Sequence, residues 1–102
     1  MSKFSIDFDG VLVHRTGIPT NSNVWSDKPK KGAIETLRLL KDFYIQTSRP
    51  ESDFPLIKLW LKDWGYSKEV LVTNKKLPGT TVYLDDRAVR FQSWNDFRKL
   101  YI

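Results

Sequence analysis

Apolar positions along this chain alternate between two rhythms. Short runs rich in apolar residues at Phe4 to Phe8, Phe43 to Ile45, Val70 to Val72 and Val82 to Leu84 read as buried strands. Between them, apolar residues recur at the three- and four-residue spacing of a helix. The first strand is expected over Lys3 to Phe8. Ala33, Leu37 and Leu40, with Ile34 alongside, predict a helix over about Lys30 to Asp42. A second strand, Phe43 to Ser48, is closed by Arg49-Pro50, where proline stops a ladder. Ile57, Trp60, Leu61 and Trp64, widened by Leu56 and Leu59, predict a helix over Glu51 to Trp64 that buries its tryptophans and ends on Gly65 as a left-handed cap. Val70 to Thr73 and Thr81 to Leu84 read as strands three and four, joined by the turn-rich Asn74 to Gly79. A fifth strand is expected near Val89 to Phe91. Ser93, with Asp96 three residues on, caps a terminal helix Trp94 to Tyr101.

One long connection interrupts this order, Val11 to Pro29, rich in Thr, Asn, Ser, Pro and Gly. Val11-Leu12-Val13 reads as a short extended piece, Gly17 to Asn23 as turn, and Trp25 as an anchor into the core. His14, the single histidine, reads as a loop residue and not a catalyst. A loop of this length in a small domain is usually functional or mobile. Strand, helix, strand, helix, strand, strand, helix makes an α/β domain with a mainly parallel sheet and right-handed crossovers. Ligands in such sheets collect at the carboxyl ends of the strands.

Composition narrows the class. A chain of 102 residues makes one domain with one core, and no repeat or internal linker divides it. With 40% hydrophobic and 28% charged residues it belongs with globular proteins. No apolar run approaches the ~20 residues of a membrane span, and Met1-Ser2-Lys3 leads straight into the first strand without a signal-peptide core. The absence of cysteine excludes disulfides and thiolate metal sites, and a cytoplasmic location is expected. The net charge of +5 favours anionic partners. Its positive residues are scattered, with Lys28, Lys30 and Lys31 in one group, Lys75 and Lys76 in another, and Arg87 and Arg90 in a third.

The candidate chemistry sits at strand ends. Asp7 and Asp9 close the first strand, one residue apart and followed by Gly10; at strand spacing they point to one side. Two carboxylates so placed repel unless a cation or proton compensates. Thr47 and Ser48 close the second strand, Lys75 and Lys76 follow the third, and Asp85 and Asp86 close the fourth. Carboxylates, hydroxyls and a lysine on one sheet edge are what phosphoryl transfer through Mg²⁺ requires. The acids hold the ion by oxygen, and cation and lysine neutralise phosphoryl oxygens. One carboxylate can attack phosphorus and another can move protons. A calcium loop of the EF-hand type is a poor fit, because the further acid before the glycine and the closing glutamate are missing.

Ile6-Asp7-Phe8-Asp9-Gly10-Val11, Tyr44-Ile45-Gln46-Thr47, Lys76 and Val82-Tyr83-Leu84-Asp85-Asp86 together resemble the four motifs of the haloacid dehalogenase-like superfamily of phosphohydrolases, over essentially the whole chain. The resemblance implies a Rossmann-like three-layer α/β/α fold with a five-stranded sheet of order 5-4-1-2-3. It implies Asp7 as the nucleophile that becomes an aspartyl-phosphate, and Asp9 as general acid/base whose backbone carbonyl joins Asp7 on Mg²⁺. Asp85 and Asp86 would complete the metal site, Thr47, Ser48 and Lys76 would bind the phosphoryl group, and Lys76 would also orient Asp7. Gly10 would turn the backbone so that its amide faces the phosphate. The gap from about residue 12 to 29 has room for a flap only, so the chain resembles a capless member with an open site. The activity so implied is Mg²⁺-dependent phosphomonoester hydrolysis on a nucleotide, a nucleic-acid end or another small phosphorylated metabolite, by a monomer or homodimer. The alternative is a catalytically idle module that binds phosphate or nucleic acid.

Overall fold

The computed structural model describes residues 2–14 and 28–102. The readings of Gly17 to Asn23 as turn and of Trp25 as anchor, and most of the flap, lie outside the described residues. β1 (Phe4–Asp7), α1 (Ala33–Leu39), β2 (Phe43–Gln46), a 3₁₀ turn (Glu51–Asp53) leading into α2 (Phe54–Asp63), β3 (Val72–Thr73), β4 (Val82–Leu84) and α3 (Trp94–Tyr101) follow in order. The four strands form one parallel sheet, order β3-β2-β1-β4.

Register decides which residues meet the core. Phe4 aligns with Phe43 and Val82, and Ile6 with Ile45 and Leu84, so these side chains share one face of the sheet. Val72, opposite Ile45, joins them. Ile34 and Leu37 of α1 and Ile57, Trp60 and Leu61 of α2 belong to the same buried cluster as Ile6, Ile45 and Val72. Both helices therefore cover this one face. Arg38 of α1 ties them at the rim, donating to the Gly65 carbonyl at 2.9 Å. The other face is closed near Tyr44 by the connection after β3. The Tyr44 hydroxyl shares a 2.7 Å hydrogen bond with Thr80 Oγ1 and accepts the Leu77 N–H at 3.1 Å.

Several expected elements are shorter or differently bounded. α1 starts only after Gly32, whose φ of 84° is not helical. It stops at Leu40 because the next carbonyls turn toward the sheet, where Asp42 accepts the Phe4 N–H at 2.9 Å. α2 does end on Gly65 at φ 105°, with the Tyr66 N–H returning to the Leu61 carbonyl at 2.8 Å. Its stripe is narrower than expected, since Ile57, Trp60 and Leu61 are buried while Leu59 and Trp64 are largely exposed.

The expectation of a five-stranded sheet is corrected. Among the described residues the sheet has four strands, and Val89 to Phe91 form no ladder. Val89 and Phe91 are exposed, and the Phe91 ring packs edge-on against Trp94 at 5.3 Å instead. α3 forms where the sequence places it, with the Ser93 side chain accepting the Asp96 N–H at 3.1 Å. It buries none of its residues, so it adds no packed layer to the sheet.

Candidate functional site

Parallel strands bring their carboxyl ends to one edge, and register sets the level of each residue there. Asp7 pairs with Gln46, so Thr47 lies one step beyond it. Ile6 pairs with Leu84, so Asp85 follows at the level of Asp7. Around this edge lies an open cavity of about 390 Å³. Asp7, Asp9, Thr47, Ser48, Lys76 and Asp85 all line it, as do Asn74, Tyr83 and Arg87.

Three of the four expected acids converge. Asp7, half-buried, and Asp85 and Asp86, both exposed, bring one carboxylate oxygen each to within 4.8 Å of one another. Mg²⁺ takes oxygen ligands at about 2.0–2.1 Å, so opposite ligands stand roughly 4 Å apart. The spread of these three oxygens is of that order, and the exposure of two of them leaves room for water. The donor set therefore fits a small hard cation. Asp7 is oriented by its own turn, its Oδ1 accepting the Phe8 N–H at 2.9 Å. Asp85 Oδ1 accepts the Arg87 N–H at 2.8 Å.

The carboxylate of Asp9 lies apart from this trio. It is buried, and the Arg49 guanidinium holds it through both oxygens: Nε donates to Oδ2 at 2.9 Å and Nη2 to Oδ1 at 2.8 Å. Arg49 Nη1 also donates to Asp53 Oδ2 at 3.3 Å. Arg49 is 1% exposed and Asp53 0%. Burial alone would lower the Arg49 pKa. Hydrogen bonding and ion pairing with Asp9, then with Asp53, outweigh it and leave the group above the usual arginine value.

Thr47 is buried, and its Oγ1 accepts the Arg49 N–H at 3.1 Å. Lys76 is exposed, with Nζ 5.4 Å from the centre of the Tyr83 ring. Lys75 is exposed as well and lies off the cavity lining. His14 is exposed, in keeping with a loop residue. Gly10 adopts φ 87°, and the Asp86 carboxylate occupies the space a Cβ would need. Its amide does not face the cavity as expected; it donates to the Val13 carbonyl at 2.7 Å, and the Gly10 carbonyl accepts Lys30 Nζ at 2.8 Å. The reason is that residues 8–13 close a compact turn, in which Leu12 and Val13 also bond back to the Phe8 carbonyl.

Sequence reasoning missed Asn74, Tyr83 and Arg87 on the cavity wall, and Arg49 and Asp53 behind Asp9. Arg49-Pro50 reads naturally as a strand stop. The available signal was the four-residue spacing of Arg49 and Asp53, which places opposite charges side by side once the chain coils.

Compared with known proteins, the chain matches no family model, no curated protein and no solved structure. Among the described residues no helix is long and apolar enough to cross a membrane.

Proposed function

We propose that this protein is a Mg²⁺-dependent phosphomonoester hydrolase of the haloacid dehalogenase-like type, with Asp7 as nucleophile. The observation that carries the proposal is the clustering of Asp7, Asp85 and Asp86 at the edge of one open cavity that Asp7, Asp85, Thr47, Ser48, Lys76 and the buried Asp9 line. The sheet is read here as the minimal, capless form of a Rossmann-like fold.

Asp7, Asp85 and Asp86 would hold the ion. When bound, it neutralises phosphoryl oxygens and lowers their repulsion of an attacking carboxylate. A carboxylate oxygen of Asp7 attacks phosphorus as the bond from phosphorus to the ester oxygen breaks. Asp9 is the residue this reading assigns to protonate that leaving oxygen. In the second half Asp9 takes a proton from water as the water oxygen attacks phosphorus. The bond from Asp7 to phosphorus then breaks, and phosphate and free Asp7 result. Thr47, Ser48 and Lys76 orient the phosphoryl group. The open cavity and the net charge of +5 suit a nucleotide, a nucleic-acid end or another small phosphorylated metabolite.

The test is hydrolysis of 4-nitrophenyl phosphate with and without Mg²⁺, by the native chain and by Asp7→Asn. Mg²⁺-dependent turnover that disappears in the folded variant is the expected result. Retained turnover in Asp7→Asn would overturn the assignment of the nucleophile. Salt-sensitive binding of phosphorylated oligonucleotides with no turnover would favour a binding module instead.

A further inference from the structure

The cavity does not stop at the acids. Register places Tyr44, Ser5 and Tyr83 side by side across β2, β1 and β4, on the face of the sheet opposite the helices. Gln46 and Asp7 stand two residues further along on that same face. Ser5, Gln46 and Tyr83 line the cavity together with Asp7 and Asp85. It therefore runs from the acidic edge down the sheet face by two residues of strand, about 7 Å. The connection after β3 closes this face over Tyr44. Tyr83 is left 46% exposed, and α3, which buries none of its residues, lends no cover.

Two kinds of surface meet in this trough. One is the flat ring of Tyr83, open enough for Lys76 Nζ to stand 5.4 Å from its centre. A cation–π contact at an exposed site is weak. A phosphoryl group at the acids draws Lys76 toward itself and leaves the ring to another occupant. The other surface is polar. At the floor the buried Ser5 hydroxyl donates to Gln46 Oε1 at 2.8 Å. That bond engages one end of the Gln46 amide, and its amino end has no partner among the described residues. A ring face beside an open amide donor suits a planar aromatic group edged with acceptors. Glutamine amides pair with the edge of adenine, and every base presents a π-face to an aromatic side chain. A sugar ring spans the interval between a phosphate at the acids and a base on Tyr83.

We infer that this trough is a nucleobase subsite with Tyr83 as its stacking platform. The substrate is then a nucleoside phosphate, either a free nucleotide or the phosphorylated end of a strand. The inference rests on the phosphatase reading for the place of the phosphate. A sugar phosphate without a base would leave Tyr83 unused.

The test is calorimetric titration of the native chain, with Mg²⁺, with the methylenephosphonate analogues of adenosine 5′-monophosphate and of ribose 5-phosphate. Their carbon–phosphorus bonds resist hydrolysis, so binding is read apart from turnover. The adenosine analogue should bind at least about fivefold tighter, the lower end of what a base gains by stacking on an aromatic ring. Tyr83→Ala should abolish that preference and leave affinity for the ribose analogue unchanged, which general loss of structure would not spare. Tyr83→Phe, which keeps the ring, should retain the preference. Equal affinity for both analogues in the native chain, binding of neither, or a preference that survives in Tyr83→Ala overturns the subsite. The phosphatase reading is judged separately, by turnover of the two parent esters. If neither is hydrolysed while the preference depends on Tyr83, the phosphatase reading falls and the subsite stands. Comparing kcat/KM on adenosine 5′-monophosphate and on oligonucleotides phosphorylated at the 5′ or 3′ end separates the two sources of nucleoside phosphate. Should Tyr83→Ala fail to fold, judged by its circular dichroism, Tyr83→Leu takes its place with the same expectations; if it too fails to fold, Tyr83 is structural and its role as platform is overturned.

Discussion

Two residues show how closely the chain is fitted around its acidic edge. Gly10 combines a φ of 87° with a Cβ position already filled by the Asp86 carboxylate. Gly10→Ala would therefore strain the backbone and displace one of the three clustered acids. Holding a non-glycine residue in that region costs of order 1–3 kcal/mol. The expected outcome is a urea midpoint lowered to match, together with weaker Mg²⁺ binding by calorimetry. Arg49 presents the opposite case, a large charged side chain with no route to water. Arg49→Ala leaves Asp9 and Asp53 buried without their cation, a change that typically removes about 3–5 kcal/mol. For a domain whose whole stability is of order 5–15 kcal/mol, this is a severe loss. Chemical denaturation of that variant should show it directly. The sequence brings Asp7 and Asp9 together as neighbours with one purpose. Side-chain packing separates them, sending Asp7 to the acids of β4 and Asp9 to Arg49.

The helices differ in how much of their sequence pattern is used. α2 buries Ile57, Trp60 and Leu61, and Trp60 braces Phe8, which lies between Asp7 and Asp9. Trp60→Ala should cost about 3–5 kcal/mol, as for other buried aromatic residues. Trp94, in α3, is 69% exposed. Its rings meet only Phe91 and Phe97 among the described aromatic pairs. Trp94→Ala should change stability by no more than about 0.5 kcal/mol, as surface substitutions do. Urea titrations of the two variants side by side test the contrast. Both tryptophans stand in an amphipathic pattern, and periodicity alone gives them the same role. Periodicity reports that a helix has an apolar face; it does not report what, if anything, that face meets. The same limit applies to Val89 to Phe91, whose apolar residues suit a strand although no ladder receives them.

At the scale of the molecule, the sheet is an organising device for its edge. Parallel pairing sets Asp7, Thr47 and Asp85 within a residue of one level, from segments as far apart as β1 and β4. The acids so gathered repel one another, and a bound cation relieves that repulsion. Mg²⁺ should therefore raise the melting temperature, since a ligand at a hundred times its Kd adds about 2.7 kcal/mol. Asp85→Asn and Asp86→Asn should each diminish that gain, and EDTA should remove it. Thermal melts with and without Mg²⁺ measure all three. A melting temperature indifferent to Mg²⁺ in the native chain would count against the metal site.

The sequence alone determined the α/β class, the helix caps at Gly65 and Ser93 and the presence of acids at the ends of the first and fourth strands. These depend on local periodicity, turn chemistry and strand boundaries, which neighbouring residues carry. Tertiary structure decided the number of strands and the exposure of α3, because both depend on surfaces brought together from distant parts of the chain. It also divided the acids. Asp85 and Asp86 reach Asp7 through the register of β4 against β1, whereas Asp9 meets Arg49, forty residues away, through a side-chain contact with no periodicity to announce it.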